Sequence, residues 1–472
     1  MTEQKKPVRS RSAAARKKEL YKKSRYYQES RKRFYMIGGI GGAVLVLLLL
    51  IFGIRGCSSF LSSRKASSGN VVSMNSSSGS GKNGSAADSS NASGTADAAS
   101  DSGNFASLTG SVSLTLSVVG DCTLGTDETF DYDTSLNAYY ESYGGAYFLQ
   151  NVKEIFSSDD LTIANFEGTL TDSEEREDKT FAFKGPASFT SILTEGSVEA
   201  VNTANNHSHD YGEQSFEDTL AALDDAGIVH FGYDETAVMD VKGVKVGMVG
   251  IYELNDHLGR EQQLKDNIAK VKADGAQLIV VIFHWGNETE TVPDNNQTTL
   301  GRLAIDEGAD LVCGHHPHVL QGIETYKGKN IVYSLGNFCF GGNSSPSDMD
   351  TMIYQQTFTV DSDGVKKDNV TNIIPCSISS AAYEGYNNYQ PTPAEGDEAT
   401  RILEKINERS AWISTAEGTT FTAEYHSSSN NSTDTNNTVD MNDDSDSDSY
   451  DDANYDSSDY DSNDYDNSED EE

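Results

Sequence analysis

The chain has 472 residues, and its 74 Asp and Glu against 35 Lys and Arg give a formal net charge of -39. That balance excludes a nucleic-acid-binding surface, because so acidic a body repels other polyanions unless a cation intervenes. Its five cysteines (Cys57, Cys122, Cys313, Cys339, Cys376) show no CxxC spacing, which excludes a zinc knuckle and a disulfide framework and leaves them as small apolar residues.

In chain order, residues 1–35 come first and are basic, with 13 Lys and Arg against 3 acids. Residues 36–54, MIGGIGGAVLVLLLLIFGI, are nineteen without a charge, enough helix to cross a hydrocarbon core of roughly 30 Å. Basic residues crowd their N-terminal side, so the positive-inside rule places 1–35 in the cytoplasm and the main domain outside the cell. A cleaved signal peptide is the competing reading, but no small-residue cleavage site follows the apolar run. Residues 55–110, rich in Ser, Gly and Asn, have little to bury and predict a flexible linker. Residues 427–472 carry 17 acids and no base, a low-complexity run that repels itself and predicts a disordered acidic tail. Between them, residues 111–426 predict one folded domain, since a domain of roughly 300 residues is ample for a core.

Within it, strand-like runs rich in Val, Ile and Leu at 112–119, 161–165, 200–205, 245–251, 277–283, 310–313 and 330–334 alternate with helical spacing at 215–226, 264–273 and 298–307. This alternation predicts an α/β fold. After Met352 the pattern is richer in strands, and a helix at 395–409 closes the domain.

Five polar motifs end apolar runs: GD (Gly120, Asp121), NFEG (Asn165 to Gly168), NNH (Asn205 to His207), HWG (His284 to Gly286) and GHHPH (Gly314 to His318). Strand ends of an open sheet converge on one crevice, which makes five such ends a site. Asp121 and Glu167 would repel one another there without a cation, and a divalent ion resolves the conflict. Asp210, three residues after His207, is placed to orient an imidazole or hold a loop amide. In HHPH the proline stiffens the loop so that His316 and His318 present nitrogens together. Carboxylate, amide and imidazole without thiolate suit Mn, Fe, Zn or Mg. One or two such ions would activate a water, with His207 left free to protonate a leaving group.

Seven ordered motifs, GDCTLG, ANFEGTLT, FKGP, ANNHSHDYG, HWGNE, GHHPHVLQG and SLGNF, resemble those of the CapA family. Those proteins are capsule-synthesis components linked to poly-γ-glutamate, and their domain is related to calcineurin-like metallophosphoesterases. The resemblance covers about residues 112–342. It implies a layered α/β/β/α metallophosphoesterase-like sandwich preceded by one transmembrane helix. It further implies Asp121 and His318 on one metal, Glu167 bridging, Asn206, His284 and His316 on the other, and His207 at the leaving group. Lys184 and Asn205 are the implied substrate-binding residues. Thr123 stands where metallophosphoesterases carry a further histidine ligand, and Thr126 and Asp127 where the CapA family often has a basic residue. Two functional readings therefore stand. One is a membrane-anchored, extracellular, metal-dependent hydrolase-like protein acting on an anionic surface polymer. The other is a non-catalytic module that binds the polymer or capsule-synthase subunits.

Overall fold

The structure is a computed structural model that describes residues 108, 110–366, 370–414 and 420–426. The expected membrane-spanning helix, nearly all of the linker, and the acidic tail lie outside those residues. Among the described residues no helix is long and apolar enough to cross a membrane.

The strands are β1 (Val112–Cys122), β2 (Leu161–Phe166), β3 (Thr169–Leu170), β4 (Lys184–Gly185), β5 (Ala200–Asn202), β6 (Val229–Phe231), β7 (Thr236–Val241) and β8 (Val244–Tyr252). They continue with β9 (Leu278–His284), β10 (Leu311–His315), β11 (Ile323–Tyr326), β12 (Lys329–Val332), β13 (Asp350–Asp361), β14 (Gly364–Val365), β15 (Val370–Ser377) and β16 (Thr392–Pro393). One mixed sheet runs β16-β15-β13-β1-β2-β5-β6, with β14 beside β13, and a second runs β11-β12-β10-β9-β8-β7. All seven expected strands and the helices at 213–226, 261–273, 295–306 and 396–411 are present. Short helices at 136–143, 153–158 and 190–196 were not visible as periodic patterns, being too short for a 3.6-residue repeat to declare itself.

Side-chain parity assigns each strand face to a layer, because successive residues of a strand point oppositely. In β9, Leu278, Val280 and Ile282 enter a core shared with Leu114, Leu116 and Val118 of β1 and Leu161 and Ile163 of β2. The alternate residues Ile279, Val281 and Phe283 pack under the helices at 261–273 and 295–306, through Leu264, Ile268, Leu300 and Ala304. On the far side, Ala164 and Val201 pack under the shorter helices, through Ile192, Leu193 and Leu223. The result is four layers, helix, sheet, sheet, helix, and strands buried on both faces read as the continuous apolar runs seen in the sequence.

The four cysteines among the described residues are all buried and unpaired, as expected of small apolar fillers. Close approach of β10 to its neighbours depends on Gly314: a Cβ there would lie 2.2 Å from both Trp285 Nε1 and the Tyr333 carbonyl, which are hydrogen-bonded to each other at 2.8 Å. Gly314→Ala has to break that buried bond or displace a strand, so urea unfolding is expected to show stability lowered by about 2–4 kcal/mol. A midpoint matching that of the parent chain would mean that the strands have slack there.

Candidate metal centre

The same parity that builds the core carries polar residues to its end. Beyond the apolar residues of the inner faces come Asn165 on β2 and Asn202 on β5, paired in register, and His284 and His315, paired on β9 and β10. Asp121 joins them through an irregularity: between Val118 and Asp121 strand β1 advances one residue more than β2. This β-bulge reverses the parity of β1 and turns Asp121 inward, opposite Asn165. The chain after β12 then crosses to the first sheet, where Asp121 N–H donates to the Gly336 carbonyl at 3.0 Å and Phe338 N–H to the Asp121 carbonyl at 2.9 Å. Strand ends of both sheets thus meet at one place.

A relay of buried amides organises the floor. Asn202 Nδ2 donates to Asn165 Oδ1 at 2.8 Å, and Asn165 Nδ2 donates to Asp121 Oδ1 at 2.8 Å and lies 3.3 Å from His284 Nδ1. His284 Nε2 lies 2.7 Å from Asn206 Oδ1, near the separation of about 3 Å expected of two donors on one ion with bonds of ~2.1 Å. Thr123 Oγ1 donates to Glu167 Oε2 at 2.9 Å, so the hydroxyl that replaces the expected imidazole orients the carboxylate. The other oxygen, Glu167 Oε1, has no hydrogen-bond partner although it is buried. It sits 3.8 Å from His284 Nε2 and 3.9 Å from His207 Nε2. His316 Nδ1 is likewise buried without a partner.

His316 and His318 both have left-handed backbones, with φ of 93° and 56°, a conformation rare outside glycine and concentrated at functional sites. His318 Nδ1 donates to Asn337 Oδ1 at 2.8 Å and lies 3.4 Å from Asp121 Oδ2. Ligand atoms of Asp121, Glu167 and His318 all fall within 4.8 Å of one another.

Electrostatics follow from enclosing charges among imidazoles. Burial drives Glu167 up, and the charge of Asp121 adds to it. Burial also pushes Asp121 up, but the hydrogen bond from His318 and the nearby His315 and His318 outweigh it and hold the carboxylate below its usual range. His284 is held well below the ordinary imidazole value, first by burial and then by His316. His316 is pushed down to about 3 by burial and by His318. His318 goes the other way: burial opposes its charge, but Glu167 and Asp121 lift it to about 10. Two neutral imidazoles, two carboxylates and an amide oxygen, with one imidazole nitrogen and one carboxylate oxygen among them buried and unpartnered, are a donor set that fits a divalent ion.

Beside this cluster stands His207, whose ring packs on Phe183 with centroids 4.6 Å apart. Its Nδ1 lies 2.8 Å from Asp210 Oδ2; a carboxylate accepts, so Nδ1 carries the proton and Nε2 faces Glu167. Lys179 Nζ donates to Asp210 Oδ1 at 2.6 Å and to the Asn206 carbonyl at 2.7 Å, tying the dyad to the Asn206 turn.

The structure therefore brings together Asp121, Glu167, Asn206, His207, His284, His316 and His318. Asn205 spends its side chain on the loops that carry the site: Nδ2 donates to the Phe166 carbonyl at 2.6 Å and Oδ1 accepts from the His207 N–H at 3.0 Å. Lys184 lies on β4 with Nζ donating to the Ser173 carbonyl at 2.8 Å and 4.4 Å from the centre of the Tyr211 ring. Sequence reasoning assigned no role to Asn165, Asn202, Lys179 or Asn337. Strand parity alone could have found the first two, since each falls on an inward position.

Fold and site together define a layered α/β domain with a carboxylate–imidazole cluster at the strand ends, of the kind that holds divalent ions. Residues 115–342 match the family described as "Bacterial capsule synthesis protein PGA_cap". The chain is 32% identical over 252 residues to the PGA biosynthesis protein CapA of Bacillus subtilis, covering 48% of this chain and 63% of that protein. It is 30% identical over 253 residues to the capsule biosynthesis protein CapA of Bacillus anthracis, covering 48% and 60%. The match thus spans about three-fifths of the length of these relatives. Among solved structures, a hypothetical protein from Thermus thermophilus aligns at 14% identity and a TM-score of 0.36, over 56% of this chain and 99% of that one.

Proposed function

We propose that this chain acts in the synthesis, transfer or release of an anionic surface polymer of the poly-γ-glutamate kind, through a divalent-metal centre in a metallophosphoesterase-like sandwich. The observation that carries the reading is the unpartnered Glu167 Oε1, buried between two imidazole nitrogens at 3.8 and 3.9 Å. A buried carboxylate oxygen left bare among ring nitrogens is costly unless a cation is its partner. The names of the Bacillus relatives support the polymer class.

Asp121, Glu167, Asn206, His284, His316 and His318 would hold one or two ions of Mn, Fe, Zn or Mg. Such ions supply Lewis acidity and an activated water. The protein's own part is positional: Asp210 accepts the His207 Nδ1 proton, so a second proton, taken up from solvent on Nε2, is the one given to a departing oxygen or nitrogen. The body's negative charge disfavours a polyanion, so the ions themselves supply the attraction for an anionic group. Manganese-loaded protein incubated with poly-γ-glutamate and with phosphate esters is expected to release shorter chains or free alcohol. Unchanged chain lengths together with intact esters would sink the hydrolytic reading.

Thr123 favours a second reading. With a hydroxyl committed to Glu167 in place of a ligand, the Asp121 side has one donor fewer, which suits a module that holds polymer or capsule-synthase subunits without turning substrate over.

Residues 36–54 would anchor the chain in membrane lipid with residues 1–35 in the cytoplasm and the domain outside. Protease added to intact cells is then expected to digest residues 427–472, and protection of that tail would overturn the topology.

A further inference from the structure

Glu288, in HWGNE, is absorbed by none of the roles above. The segment that carries it is clamped to the GHHPH loop by backbone hydrogen bonds on both sides: Trp285 N–H donates to the His315 carbonyl at 3.1 Å and Thr289 N–H to the Pro317 carbonyl at 2.8 Å. Gln321 Nε2 adds a bond to the Glu290 carbonyl at 2.9 Å. Within this clamp the chain turns through Gly286 at φ 76° and Thr289 at φ 66°. The turn sets the exposed Glu288 carboxylate beside the half-buried His318 and the buried His316, with one ligand atom of each within 4.8 Å of the others.

We infer that Glu288, His316 and His318 form a second divalent-cation position, on the solvent side of the buried Asp121–Glu167–His318 cluster. The inference rests on the metal-centre reading and adds a ligand to it. Three observations carry it. First, no lysine or arginine among the described residues pairs with Glu288, so its charge is free for an ion. Second, His316 is only 6% exposed and its Nδ1 has no partner. Third, His318 belongs to both triads, and with its Nδ1 proton turned to Asn337 the ring has one nitrogen, Nε2, to offer once an ion displaces the proton there. An ion on the rim and an ion at Asp121 and Glu167 draw on the same nitrogen, so filling one weakens the other. The chain therefore binds two classes of ion, a tight buried one and a weaker one open to water.

Equilibrium dialysis of the full chain in detergent against manganese(II), read by elemental analysis and by the electron paramagnetic resonance of free manganese, tests this. The parent is expected to show two classes of site. Glu288→Gln is expected to weaken the second class at least about tenfold and leave the tight class in place, whereas Glu167→Gln removes the tight class and keeps the weak one. Near-ultraviolet circular dichroism confirms that both variants fold, and Glu288 is exposed enough for its change to be tolerated. A Glu288→Gln isotherm that coincides with the parent's overturns this inference alone. A parent chain that takes up no manganese overturns it together with the metal-centre reading.

Discussion

Replacing Glu167 and His284 together by alanine is expected to strip the protein of its divalent metal. The pair removes the carboxylate that faces both imidazoles and the one ring that reaches Glu167 at 3.8 Å and Asn206 at 2.7 Å, so each implied ion loses a direct donor. Even supporting residues around a metal are worth roughly 10–100-fold in affinity, and two direct ligands are worth more. The neighbours cannot substitute, because the amide relay and the bulge in β1 fix Asp121 and Asn165 where they are. Elemental analysis after gel filtration reads the outcome, and unchanged metal content in the double variant would sink the site assignment.

His207→Ala is expected to behave in the opposite sense, keeping the metal and losing turnover. The imidazole is half of a dyad with Asp210 at 2.8 Å, is seated on Phe183, and keeps Nε2 on the site side. A positioned proton donor contributes about 10²–10⁴-fold, and a drop of that size in hydrolysis of a phosphate ester or γ-glutamyl amide is the expected result. Metal lost along with activity would make His207 a ligand. Metal retained with the parent also inactive on every ester and amide tried would leave the binding-module reading standing.

Much of this was legible in the sequence because parallel strands buried on both faces write themselves as apolar runs, and the motifs at their ends are where β1, β2, β9 and β10 stop. The helices at 136–143, 153–158 and 190–196 were illegible for a different reason: they are held by packing on the first sheet rather than by their own periodicity. The bulge before Asp121 also left only a faint mark, Gly120, since a one-residue slip in pairing depends on the neighbouring strand. For Lys184 and Asn205 the motif gives the position and the fold gives the contacts. Their positions match the pattern, Ser173 and Tyr211 engage the first and Phe166 the second, and the cation beside His207 is Lys179, which no local pattern marks. Thr123 reads in sequence as something missing; in the fold it is a hydroxyl with a task, orienting Glu167.

The donors are divided between the two sheets. Asp121, Glu167 and Asn206 come from strand ends of the first, His284, His316 and His318 from the second. The apolar core, the crossing at Gly336 to Phe338 and side-chain hydrogen bonds such as Asn330 Nδ2 to Tyr354 Oη at 2.8 Å already join the sheets, and an ion held by both sets would add a staple across that seam, much as a disulfide closes a long loop. Binding energy at the centre then acts on the docking of the halves, so any substitution that loosens the inter-sheet core also loosens the grip on metal, however far it lies from a ligand.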